Sequence, residues 1–141
     1  MPVDYPFLAS HEALESFIRR WLEGTLPAPE FNHAAHVAVC ACLACRYRGE
    51  ELVQAMKREL IRFLAVVGVP NSPDSGYHET LTRFWCVLVE ETVDERLSPL
   101  EAARNAVAIY GEDRTATSRY YSYDVFKSRE ARQRCWDFGA R

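Results

Sequence analysis

Apolar residues recur along this chain at helical rather than strand spacing. Leu14, Phe17, Ile18, Trp21 and Leu22 lie on one face of a helix expected over about 11–24, with Ser10 as its N-cap. Gly24, Pro27 and Pro29 stop it, and residues 1–9, with Pro2 and Pro6, read as an extended lead-in. Asn32 caps a second helix from His33 to about Arg48. Its middle, Val37 to Cys45, is apolar on nearly every side, as suits the central helix of a small bundle. After Gly49, a third helix over about 50–67 carries the stripe Leu52, Val53, Met56, Leu60, Phe63, Leu64 and Val67. Lys57, Arg58, Glu59 and Arg62 of that helix largely face water.

Residues 68–76 hold two prolines, two glycines and four short polar residues, all turn formers. A fourth helix from about Tyr77 to Arg96 buries Leu81, Phe84, Trp85, Leu88 and Val89. Ser98-Pro99-Leu100-Glu101 is a capping box with proline at the first helical position, and it opens a fifth helix through about Ile109. Ser128 can cap a last short helix to about Trp136. The expected fold is all-α: one domain over 1–141, a bundle of four main helices plus one or two short ones. Residues 110–141 form a tail packed on the bundle.

Three of the four histidines sit where helices begin: His33 and His36 at the second, His78 at the fourth, beside Glu79. Short connections make consecutive helices antiparallel, so the second and fourth run parallel and open at the same end. His33 and His36, three apart, share a face. Imidazoles from two openings can then converge on one divalent transition metal, zinc or iron first, with copper as a further choice. Three protein ligands leave positions open for water or substrate, and Glu79 could orient a ligand or move a proton. The expectation is a small metal-dependent enzyme acting on a small molecule, an anionic one being favoured by the positive ends of the two helices. Its chemistry would be hydrolysis or elimination with zinc, and oxidation with iron or copper. Asn71 from the loop and Tyr121 from the tail are candidate substrate contacts.

Two other readings use the same residues. One is a metal-free or metal-carrying pocket in a non-catalytic sensor or carrier; the other gives the histidines purely structural roles. The thiols of Cys40, Cys42, Cys45, Cys86 and Cys135 read as core packing first, with a redox or metal role as the lesser alternative, since Cys42 and Cys45 share a helix face and Cys40 lies off it. Arg119 with Tyr120, Tyr121 and Tyr123 reads as rings packed across the bundle, or as a lid. Trp85, two turns beyond His78, floors the pocket or fills the core, and His11 is solvated.

Composition narrows the partners. A length of 141 residues suffices for one core, and 48% hydrophobic against 26% charged is a globular balance. A net charge of −3, with fifteen arginines interspersed among acids, leaves no footprint for nucleic acid. No apolar run is long enough to cross a bilayer, and the first residues lack the basic and apolar regions of a secretory signal. Five cysteines without framework spacing then read as reduced thiols, which places the protein in the cytoplasm. A small-molecule substrate or ligand is the expected partner, and the oligomeric state is open.

Phe31-Asn32-His33-Ala34-Ala35-His36-Val37, Gly68-Val69-Pro70-Asn71, Gly76-Tyr77-His78-Glu79-Thr80 and Arg119-Tyr120-Tyr121-Ser122 together resemble a family of small all-helical bacterial proteins without an assigned activity. That family is marked by F-T-H-x-x-H followed by G-Y-H-E-T, and the likeness spans about residues 27–136. Asn32 stands where a threonine is usual, and both residues cap helices. Tyr121-Ser122-Tyr123-Asp124 departs from the more basic family tail. The resemblance implies the helical fold and the choice of His33, His36, His78 and Glu79.

Overall fold

The computed structural model describes residues 5–70, 72, 76–113, 116 and 132. The chain is an all-α, single-domain bundle, with five α-helices laid out among the described residues: α1 (His11–Glu23), α2 (His33–Ala44), α3 (Glu50–Val67), α4 (Glu79–Thr92) and α5 (Pro99–Tyr110). Single 3-10 turns at Pro6–Leu8 and Ala28–Glu30 precede α1 and α2. The anticipated last helix from Ser128 lies outside the described residues.

Helix ends follow local chemistry. The Ser10 hydroxyl accepts the Ala13 N–H, the Asn32 side chain accepts the Ala35 N–H, and Ser98 with Glu101 forms the full capping box. Gly24 ends α1 in the left-handed region at φ 76°, where a side chain would also collide with Val66.

α2 stops at Ala44 rather than near Arg48. Cys45 closes its last turn, and the Arg48 guanidinium instead donates to the carbonyls of Glu90 and Val93 at 3.1 and 2.9 Å. α4 likewise ends at Thr92, short of the expected Arg96, because Val93 is extended. α2 is the centre of the bundle. Ala34, Ala35, Ala38, Ala41 and Ala44 are buried along it, as are Ala102, Ala103 and Ala106 on the facing α5. Methyl-sized side chains on both helices let the two backbones approach closely, leaving the larger apolar residues to fill the spaces around them.

Candidate functional site: a histidine-rimmed cavity at the openings of two helices

The turn between α2 and α3 is tied to the C-terminal end of α4. Besides the two Arg48 bonds, the Gly49 N–H donates to the Glu90 carboxylate at 2.6 Å. With their C-terminal ends joined, α2 and α4 run parallel, and their N-terminal ends lie together at the other pole. There the two histidine segments border one cavity of about 490 Å³, walled by the first half of α2, the second half of α3 and the first half of α4. His33, His36 and His78 all line it. Met56, Leu60 and Phe63 of α3, with Val37 and Trp85, make most of the remaining wall apolar. Val69 and Gly76 bring the ends of the 68–76 segment to the same cavity, and Arg132 reaches it as well.

Each imidazole is held differently. The His33 ring bonds through Nε2 to the Tyr110 carbonyl at 3.0 Å. A carbonyl only accepts, so Nε2 carries the proton, and in the neutral ring Nδ1 keeps the lone pair. Its ring also meets the edge of Trp85, centroids 4.8 Å apart.

His36, one turn further along α2, is half-buried in the cavity wall and packs T-shaped against Phe31, which stacks on Trp21. Burial, aided by the charge of nearby His33, lowers its pKa to about 4, so the ring is neutral at physiological pH.

His78 departs from the expected place in the first turn of the fourth helix. It is the N-cap of α4: its backbone is extended, and its Nδ1 accepts the Leu81 N–H at 3.1 Å. A neutral imidazole has one lone pair and one N–H. Capping uses the lone pair, so the proton is on Nε2 and the ring's other polar atom is a donor.

Glu79 stands in a setting unlike that of the expected proton-transfer group. It is buried and does not line the cavity. One carboxylate oxygen takes the Tyr77 hydroxyl at 3.1 Å and the Lys57 ammonium at 3.3 Å; the other takes Arg83 Nε at 2.5 Å. Burial alone would raise its pKa, but the bonds from Arg83, Lys57 and Tyr77 outweigh that and hold the carboxyl below its usual range. Arg83 continues to Glu50 at the start of α3, and Lys57 lies over the Tyr77 ring. Lys57, still partly exposed to water, is also part of the clamp that joins α3 to α4. This carboxylate is arranged to anchor a helix opening.

Among the described residues, no group of three or more His, Cys, Asp or Glu side chains is gathered closely enough to hold a metal ion. Asn71 and Tyr121 lie outside the described residues. Set against protein-family models, curated proteins and solved structures, the chain matches none.

The site also contains residues to which the sequence pattern gave no place in it. Cys40 and Cys86 face each other across the α2–α4 contact, and Arg132 donates to the Gly76 carbonyl at 3.0 Å. Helical spacing does connect His36 with Cys40, and His78 with Thr82 and Cys86, each four apart. No local signal connects Arg132 to residue 76.

Proposed function

We propose that this protein binds a small molecule in the cavity between α2, α3 and α4. An apolar body would lie against Met56, Leu60 and Phe63. A hydrogen-bond-accepting or anionic end would lie toward the part of the wall that His78 and Arg132 line. The observation that carries the reading is the convergence of His33, His36 and His78, from segments about forty residues apart, on one largely apolar cavity. Its volume is in the range of small-molecule sites, and a few polar groups in an apolar wall is the usual means of orienting a ligand. His36, held neutral, supplies a basic atom of such a site.

A metal-dependent enzyme is the second reading. His33 donates its Nε2–H to a backbone carbonyl, the orientation commonly imposed on a ligating imidazole, and His36 is in the neutral form that ligates. His78 does not fit the ligand set as it sits, since its lone pair caps α4. His33 and His36 would hold the zinc, iron or copper ion, with His78 joining only if it left its cap. The ion would supply Lewis acidity, or redox chemistry for iron or copper. Glu79 would act by holding the opening of α4 in place.

Fluorescence of Trp85 in the cavity wall tests both readings. A series of eight-carbon carboxylate, alcohol and amine should give saturable changes in the parent chain, strongest for the carboxylate, and none in Trp85→Phe. Leu60→Trp, which fills the cavity, should weaken binding at least about tenfold, equivalent to about 1.4 kcal/mol. Absence of response to all three compounds, or unchanged affinity in Leu60→Trp, would sink the pocket reading. Elemental analysis of dialysed, tag-free protein decides the second: about one zinc, iron or copper per chain, lost in His36→Ala, supports it, and metal-free protein overturns it.

A further inference from the structure

The strongest observation outside the imidazoles is a pair of thiols. Cys40 on α2 and Cys86 on α4 are both buried, both line the cavity, and their sulfurs lie 4.0 Å apart. We infer that Cys40 and Cys86 form a two-thiolate site for a soft monovalent metal ion, of which copper(I) is the biological example.

Geometry separates this from a disulfide. A disulfide needs sulfurs about 2.05 Å apart, so about 2 Å would have to be closed by rotating the two side chains or moving the helices. Two thiolates each about 2.3 Å from a shared ion sit about 3.8 Å apart at a tetrahedral angle and about 4.6 Å apart when collinear with it. The observed 4.0 Å lies inside that interval. An ion could therefore enter between the sulfurs with little displacement of α2 or α4.

The surroundings select the kind of ion. Thiolates favour soft ions, and the wall around them, with Val37, Met56 and Leu60, carries no carboxylate among the described residues; its side-chain oxygens are those of Asn32, Tyr77 and Thr82, fewer and more weakly ligating than hard divalent ions require. Copper(I) is satisfied by two sulfurs, with His36, one turn before Cys40 on α2, as the nearest nitrogen donor along the helix. The cavity itself is the entry path. Binding converts two thiols to thiolates: each S–H bond breaks, both protons leave to solvent, and two sulfur–copper bonds form with no change in oxidation state. Contact with the Cys86 thiol and burial push the Cys40 thiol well above its ordinary range, which makes it a poor nucleophile toward oxidants. The same protons must be displaced by metal, so affinity rises with pH, by up to about a hundredfold per pH unit for two protons.

The test is an anaerobic titration of the reduced, intact chain with copper(I) against a chromophoric copper(I) chelator. The parent should withdraw one equivalent, with affinity increasing between pH 6 and 7. Cys40→Ser and Cys86→Ala should each weaken it by at least about a hundredfold, whereas Cys42→Ser/Cys45→Ser should match the parent. Circular dichroism establishes that each variant is folded. Alkylation of the parent with mass mapping gives a readout free of mutation: copper(I) should protect Cys40 and Cys86 and leave Cys42 and Cys45 as reactive as before. Failure to take copper(I) from the chelator, parent-like affinity in the Cys40 and Cys86 variants, or protection of Cys42 and Cys45 instead would each overturn the inference. The small-molecule titration uses metal-free protein, so either proposal can fail alone.

Discussion

Lowering the pH from 6.5 to 4 should remove about 3 kcal/mol of folding stability through His36 alone. The folded ring does not accept a proton until about pH 4, whereas the ordinary value for the unfolded chain is about 6.5. Within that window the unfolded state binds more protons than the folded state, so acid favours unfolding. The contribution is fully present above pH 6.5 and is lost as pH falls toward 4. Urea denaturation at intervals from pH 7.5 to 4 measures it. In His36→Gln the slope between pH 6.5 and 5 should flatten. A steeper loss below about pH 4.5 should persist, because the Glu79 carboxyl, held low by Arg83, Lys57 and Tyr77, loses its stabilisation only there. An unchanged slope in His36→Gln would show that another group carries the acid sensitivity.

Trp21→Ala should cost about 3–5 kcal/mol, the range for deleting a large aromatic side chain from a packed interior. Trp21 is only 1% exposed; its ring stacks on Phe31 at 5.0 Å and lies 6.4 Å from Phe63. Phe31 in turn meets His36 edge-on at 4.6 Å. Removing the indole therefore loosens the cavity wall as well as the core, and the His36 pKa should move back toward its ordinary value. Trp21→Phe should be much milder. The indole Nε1 is buried with no hydrogen-bond partner among the described residues, so losing it breaks no bond. Equilibrium unfolding of the two variants, with NMR titration of His36, checks both parts. An alanine variant within about 1 kcal/mol of the parent would mean the site collapses to refill the space.

Much of the fold could be read in advance because its signals are local. The stripe from Leu52 to Val67 reproduced α3 to the residue, and the Ser98–Glu101 capping box placed the opening of α5. Misjudged boundaries have tertiary causes. Arg48 continues the helical pattern of α2, yet its guanidinium binds carbonyls at the end of α4, more than forty positions away. Lys57 keeps the exposure its place on the stripe implies, its side chain 40% accessible, and also pairs with Glu79 of the neighbouring helix, a partner no local pattern indicates.

By itself the sequence determined that this chain is helical, where most helices start, and that two histidine-bearing openings share one end of the bundle. Periodicity, caps and short connections act over a few residues, and parallel second and fourth helices follow from them. Only the tertiary structure decided what each ring does there. A histidine at position 78 can be a ligand, a cap or a base; the Leu81 N–H at its Nδ1 makes it a cap. A glutamate beside it can move protons or hold a helix; Arg83, Lys57 and Tyr77 occupy both of its oxygens. Lone pairs, protons and charges are assigned by the neighbours that fold against them, and those neighbours are brought close by packing rather than by position along the chain.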